Sequence, residues 1–267
     1  MKPLQTGVLS VVIAVTTVAS ALAADGVLMV QRITTGTNVT TTEVQIEKTR
    51  MRTEITDPSG DKQIVIFDGG RQVLMMVNPA RKTYTEMTKA DMDAMAGQMQ
   101  GLMAGMQAQM ANLPPAQRAQ MEAMMKGRGI GAPPEKTEYK RTGTDQVGKW
   151  ACVKYDAMRG GQKVSEICTV EPSALGFTAA DFAIGQQLAE FMRAIMPQAN
   201  DQVVMVGRLD QVGFSGLPIK SSTTSNGRTT TTELTDARRQ VFADALFAPP
   251  AGFQKQSMPM MGGARGR

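Results

Sequence analysis

The side chains with the most evident chemical potential carry sulfur. Met92, Met95, Met99, Met103, Met106 and Met110 recur at intervals of three and four, the spacing that lines side chains along one face of a helix. Thioethers are soft donors that select Cu(I). They also fill irregular apolar gaps and re-pack around apolar partners of varied shape. Nothing nearby completes a metal site, because the chain has no His and only two Cys, so the expected metal and cofactor content is none. The lack of His also excludes Ser/His/Asp and Cys/His nucleophile arrangements. Asp91 with Asp93, and Asp57 with Asp61, are the nearest acid pairs; one sits at a helix start and the other in a turn, without a calcium ligand set. The expectation is a protein that binds and does not catalyse, with a Met-rich Cu(I)-binding protein and a structural or interaction protein of the cell envelope as alternatives.

The two cysteines have a clearer assignment. Trp150 to Met158 and Gln162 to Val170 read as strands, and folding them about Gly160 sets Cys152 directly opposite Cys168. The same register pairs Lys154 with Glu166, Val153 with Ile167 and Trp150 with Val170. A structural disulfide between Cys152 and Cys168 is expected, as suits an oxidising compartment. Lys2 before the apolar run from Val8 to Ala19, then Ala21-Leu22-Ala23, reads as an export leader over 1–23 cleaved after Ala23. No later segment reaches 18 consecutive apolar residues. The mature chain is therefore expected to be periplasmic or secreted.

These residues must be positioned by the rest of the chain. The Met ladder belongs to a helical hairpin over 88–126, with Thr88 and Asp91 as a capping box, a break at Leu113-Pro114-Pro115 and a close at Gly127. Around it the chain reads as strands. Thr40, Thr42, Val44 and Ile46 alternate against Thr41, Glu43, Gln45 and Glu47, and Met51 and Ile55 alternate against Arg52 and Glu54, each pattern wetting one face. Lys62 to Asp68 and Arg71 to Asn78 instead form a hairpin apolar on both faces, through Ile64, Val65, Ile66 and Phe67 and then Val73, Leu74, Met75, Met76 and Val77, which needs cover on both sides. The nearest cover is the Met hairpin. A second cover starts at Thr178 and runs to about Met196, with Leu188, Phe191 and Met192 on its apolar stripe. Gly127 to Pro134 reads as a linker and Gln202 to Phe214 as a strand. Leu217 to Ser225 and Arg228 to Leu234 flank Asn226-Gly227, a hairpin polar enough for an edge or a wet rim.

The expected fold is α+β, mainly antiparallel β: a curved half-barrel sheet of about eleven strands, its concave face closed by helical insertions. One domain over 24–255 is followed by a disordered tail over 256–267. Candidate cavity residues are Ile64, Ile66, Leu74 and Met76 from the sheet, Met95, Met99, Met103 and Met106 from the hairpin, and Leu188, Phe191 and Met192 from the second helix.

At 267 residues, 42% of them hydrophobic, the chain can bury a sizeable core. Its formal charge of +5 and pI near 9.3 come from interspersed Lys and Arg without a basic run or aromatic platform, which disfavours nucleic acid. The balance is compatible with transient contact with an anionic membrane surface. Oligomeric state is left open.

This order of strands and helices behind an export leader resembles the half-barrel of the bacterial lipoprotein-carrier superfamily, of the LolA, LolB and LppX type. Three stretches, Arg50 through Tyr84-Thr85-Glu86-Met87, Gly148-Lys149-Trp150-Ala151-Cys152, and Leu246-Phe247-Ala248-Pro249-Pro250-Ala251-Gly252-Phe253, resemble an uncharacterised family of secreted bacterial proteins near that superfamily. The resemblance covers nearly all of the mature chain. It implies a concave apolar cavity under helices and, as partner, a hydrophobic small molecule or lipid. It assigns no catalytic position.

Overall fold

A computed structural model describes residues 25–127, 136–193, 213–225 and 227–257. The leader over 1–23, the linker beyond Gly127, the end of the second helix near Met196, the strand from Gln202 and the tail beyond Ser257 lie outside the described residues. Among the described residues twelve strands form one open, curved sheet. In chain order these are β1 (Asp25–Thr35), β2 (Asn38–Ile46), β3 (Arg50–Thr56), β4 (Lys62–Asp68), β5 (Val73–Asn78), β6 (Thr83–Thr88), β7 (Glu138–Val147), β8 (Trp150–Arg159), β9 (Gln162–Val170), β10 (Leu217–Ser225), β11 (Arg228–Val241) and β12 (Gln254–Gln256). The helices are α1 (Lys89–Ala111), α2 (Pro115–Gly127) and α3 (Ala183–Arg193). Across the sheet the order is β12-β6-β5-β4-β3-β2-β1-β11-β10-β9-β8-β7. All neighbours are antiparallel except β12, which lies parallel to β6.

The period-2 pattern assigns the faces. Val27, Met29, Val44, Ile46, Met51, Phe67 and Leu74 share the concave side, where one cluster also takes in Phe182, Ile184 and Phe191 from the α3 region. Leu28, Ile64, Ile66, Val73, Met75 and Val77 share the convex side, and Phe242 and Phe247 pack on them from the C-terminal segment. The convex face of the β4–β5 hairpin is covered and its concave face partly so, with Met76 left 42% exposed; of the Met hairpin only Met92 joins the cover. The covers are α3 on one side and the C-terminal aromatic residues on the other.

Local chemistry explains the helices. Thr88 and Asp91 form a reciprocal capping box at the start of α1, and Arg118 near the start of α2 donates to the carbonyls of Met110, Ala111 and Leu113, satisfying the end of α1. α1 is anchored only where it leaves β6, through fully buried Met92. Its later turns are exposed. The face opposite the Met ladder offers Ala and Gly, not charge, so α1 has no strongly polar side to set against an apolar one.

The disulfide joins Cys152 and Cys168, with their Cα atoms 5.5 Å apart, but the register around it differs from the expected one. Arg159 pairs with Gln162 across Gly160-Gly161, a bulge follows between Ala157 and Met158, and Cys168 faces Lys154. The two glycines have φ of 54° and 78°, the conformation of a two-residue type I′ hairpin loop. That loop shifts the register by one residue and the bulge by another. Cys152 and Cys168 are consequently diagonal neighbours on one face, and Lys154 still reaches Glu166 at 3.1 Å. The Ser/Thr-rich β10–β11 hairpin corrects a second expectation: it lies inside the sheet between β1 and β9, and only its tip is at a rim. β11 also runs on to Val241, because β1 gives it a partner from Thr230 to Val241.

Candidate functional site

The concave face holds a cavity of about 650 Å³. On one wall, Met29, Thr42, Val44, Ile46, Met51 and Ile55 come from β1, β2 and β3; on the other, Ala157, Ile167, Ile219 and Thr223 come from β8, β9 and β10. The hairpin turns at Gly36, Gly160 and Gly227 lie at one end of these strands. At the other end Phe182 and Gly185 close the cavity.

Three interactions fix that closed end. The 3-10 turn Ala179–Phe182, which leads into α3, starts with a capping box between Thr178 and Asp181. Asp181 also receives Arg239 of β11 at 2.8 Å, and the Arg239 guanidinium lies over the Phe177 ring. Burial alone would push the Asp181 carboxyl up, but the hydrogen bonds from Arg239 and Thr178 outweigh it and hold it below the ordinary carboxylate range. Third, Gly69 in the β4–β5 turn lets α3 approach closely, since a Cβ there would come within 2.6 Å of Ile184 Cδ1.

Toward the turns the lining becomes polar: Ser165, Thr223 and Thr232 offer hydroxyls, and Arg159 donates to Thr137 at 3.0 Å. Phe214 walls this side, edge-on to Tyr139 at 4.8 Å. None of the described lining residues is acidic. Among the described residues no cluster of His, Cys, Asp or Glu could hold a metal ion.

None of the expected cavity residues whose side chains are described lines this cavity. Leu74, Leu188, Phe191 and Met192 lie in or against the concave-face cluster around α3. Ile64 and Ile66 belong to the convex cluster. Met76 is 42% exposed, Met99 45% and Met106 38%. Met95 is half-buried, and the side chain of Met103 lies outside the described residues. The signal for the real lining was the alternation in β2 and β3. Thr42, Val44, Ile46, Met51 and Ile55 form the apolar half of that pattern, and the apolar half is the concave wall. The doubly apolar hairpin instead gives one face to each of the two core clusters.

An open, curved antiparallel sheet with a helix over one end of its concave face defines an α+β protein of half-barrel type. The chain belongs to the family described as Domain of unknown function (DUF4412), which matches residues 87–253. No curated protein matches it in sequence. Among solved structures it is similar to an uncharacterized conserved protein from Thermus thermophilus, with 8% identity, 88% of this chain and 91% of that chain covered, and a TM-score of 0.43. It is also similar to MucB in complex with MucA(peri), with 12% identity, 85% of this chain and 55% of that chain covered, and a TM-score of 0.36. The MucA/MucB complex of Pseudomonas aeruginosa matches at 11% identity, with 85% and 56% covered and a TM-score of 0.36. The chain thus spans little more than half the length of the chains it matches in those two complexes.

Proposed function

We propose that this protein is an exported carrier or sensor that holds a hydrophobic small molecule or lipid in the concave cavity and acts by binding, without turnover. The observation that carries the reading is the cavity itself. It is largely apolar, lies within the usual range of about 300–1,000 Å³ for ligand sites, and is closed at one end by the α3 region and polar at the other. Burying an acyl chain there gains about 25 cal/mol per Å², which requires no specific polar residue. Export is supported by the leader-like start of the chain and by the Cys152–Cys168 bridge, which persists in oxidising compartments. Native mass spectrometry of protein purified without detergent should show a co-purifying lipid. The reading is lost if no lipid is found and no apolar dye or lipid binds the purified protein.

A second reading draws on the exposure of Met99, Met106 and Met124, which leaves their thioethers free of packing duties and available to Cu(I). Anaerobic titration with Cu(I) against a competing chelator tests it. If replacing Met95, Met99 and Met103 together by Leu leaves the affinity unchanged, copper has no place here.

A further inference from the structure

The cavity is not uniformly greasy. Between its apolar closed end and its hydroxyl-rich opening lies a polar step on three adjacent strands: Gln31 on β1 directly faces Thr42 on β2, and Thr53 on β3 is one pair removed, facing Val44. All three border the cavity. Thr42 is only 6% exposed, and its Oγ1 is buried without a hydrogen-bond partner. Among the described residues the Gln31 carboxamide and the Thr53 hydroxyl have no hydrogen bond either. A buried hydroxyl without a partner is costly. Rotation about the Thr42 χ1 exchanges its methyl and hydroxyl branches, and a ligand in the cavity that Thr42 borders offers the missing partner.

We infer that this step recognises an uncharged hydrogen-bonding group in the middle of an otherwise apolar ligand, namely the ester or amide carbonyl of an acyl lipid. The inference rests on the carrier or sensor reading and names its ligand class. Thr42 donates its O–H to the carbonyl, and the Gln31 carboxamide supplies a second donor, or an acceptor where the ligand is an amide. The acyl chain points toward Ile46, Met51 and Phe182, and the remainder of the ligand leaves past Thr223 and Arg159. The group is neutral because, among the described residues, no charge stands at this level to receive an ion. Arg159 is at the opening. Lys220 borders the cavity between Ile219 and Ser221, whose side chains face inward, so by alternation its ammonium leaves on the convex side. An ion placed beside Thr42 would be desolvated without a counter-charge.

The test is displacement of the neutral dye N-phenyl-1-naphthylamine from the purified exported protein by methyl laurate, laurate and dodecyltrimethylammonium. Methyl laurate is expected to displace the dye at about tenfold lower concentration than either ion. Thr42→Val, which keeps shape and removes the oxygen, should weaken methyl laurate about tenfold relative to the dye. The same variant should melt about 2–4 °C higher without ligand, since it removes an unsatisfied group. Thr42→Ser retains the hydroxyl and should retain the ester's advantage, which keeps the proposal testable if Thr42→Val does not fold. Bound dye with an ion displacing it as well as the ester, or with a Thr42→Val affinity equal to the wild type, overturns the carbonyl assignment and leaves the carrier or sensor reading standing. Failure of the dye and of all three amphiphiles to bind removes that reading and this inference together.

Discussion

Phe67 in β4 and Phe191 in α3 meet with ring centroids 5.4 Å apart and planes inclined at 53°. This contact ties the helix to the concave face. Both rings are buried, and truncating a buried Phe to Ala costs about 3–5 kcal/mol. Phe191→Ala should therefore lower the denaturant midpoint strongly and increase binding of an apolar dye in the native baseline, as the closed end opens. An unchanged midpoint would mean that α3 does not cover the sheet.

The Asp181 anchor sets a pH window. Its carboxyl is held below the ordinary range, and a group with a depressed folded pKa stabilises the fold above its unfolded value and loses that contribution as pH falls through the folded one. The unfolded reference is about 3.9, so the anchor is fully effective at neutral pH and fails on acidification below that point. Glu54 and Glu166 are shifted in the same direction, so the wild type should lose stability there from several sources. Comparison with Asp181→Asn isolates one of them. The stability gap between the two proteins should be open at pH 7 and narrow toward pH 2 in urea titrations; a constant gap would remove Asp181 from the account.

The bridge between Cys152 and Cys168 closes a short loop, with a separation of 16 residues. In the chain-entropy model a loop of this size contributes about 3 kcal/mol. The double variant Cys152→Ala with Cys168→Ala should lose about that much at equal denaturant slope. Peptide mapping of the unreduced protein should recover the cross-linked pair, and two free thiols in oxidised material would refute the bridge.

Methionine oxidation should sort the chain by exposure. Met99, Met106 and Met124 are 45%, 38% and 56% exposed, whereas Met29, Met75 and Met92 are at most 1% exposed. Under mild peroxide the first three should become sulfoxides well before the others. Equal protection of both groups would show that α1 is pressed against another surface.

Much of this fold was legible in the sequence because its signals are local. The capping box at Thr88, the break at Pro114, the strands Arg50–Thr56, Lys62–Asp68, Gln162–Val170 and Leu217–Ser225, and the Cys152–Cys168 pairing all follow from neighbouring residues. What was not legible depended on distant ones. Ile64 and Val65 look alike in a run of apolar residues, but only the arrival of Phe242 and Phe247 makes the side of Ile64 the convex one. β12 is too short to announce itself and exists because β6 offers an edge. The Met ladder has helical spacing, yet spacing states which residues share a face and not what that face meets. Thr42 read as part of an alternating strand; that its oxygen lacks a partner is a fact of packing.

The pairing of β1 with β11 bears on how this chain reaches its fold. Thr35 and Thr230, whose hydroxyls meet at 2.8 Å, are 195 residues apart, while β1 to β6 and β7 to β9 are each built from neighbouring hairpins. The two halves of the sheet can form early, but the concave wall is complete only when the last long strand docks on the first. Joining elements so distant carries a large loop-closure cost before any contact rewards it. Refolding should accordingly show a slow phase in cavity-reporting signals after the hairpins have formed. The first strand therefore waits for a partner synthesised some 195 residues later.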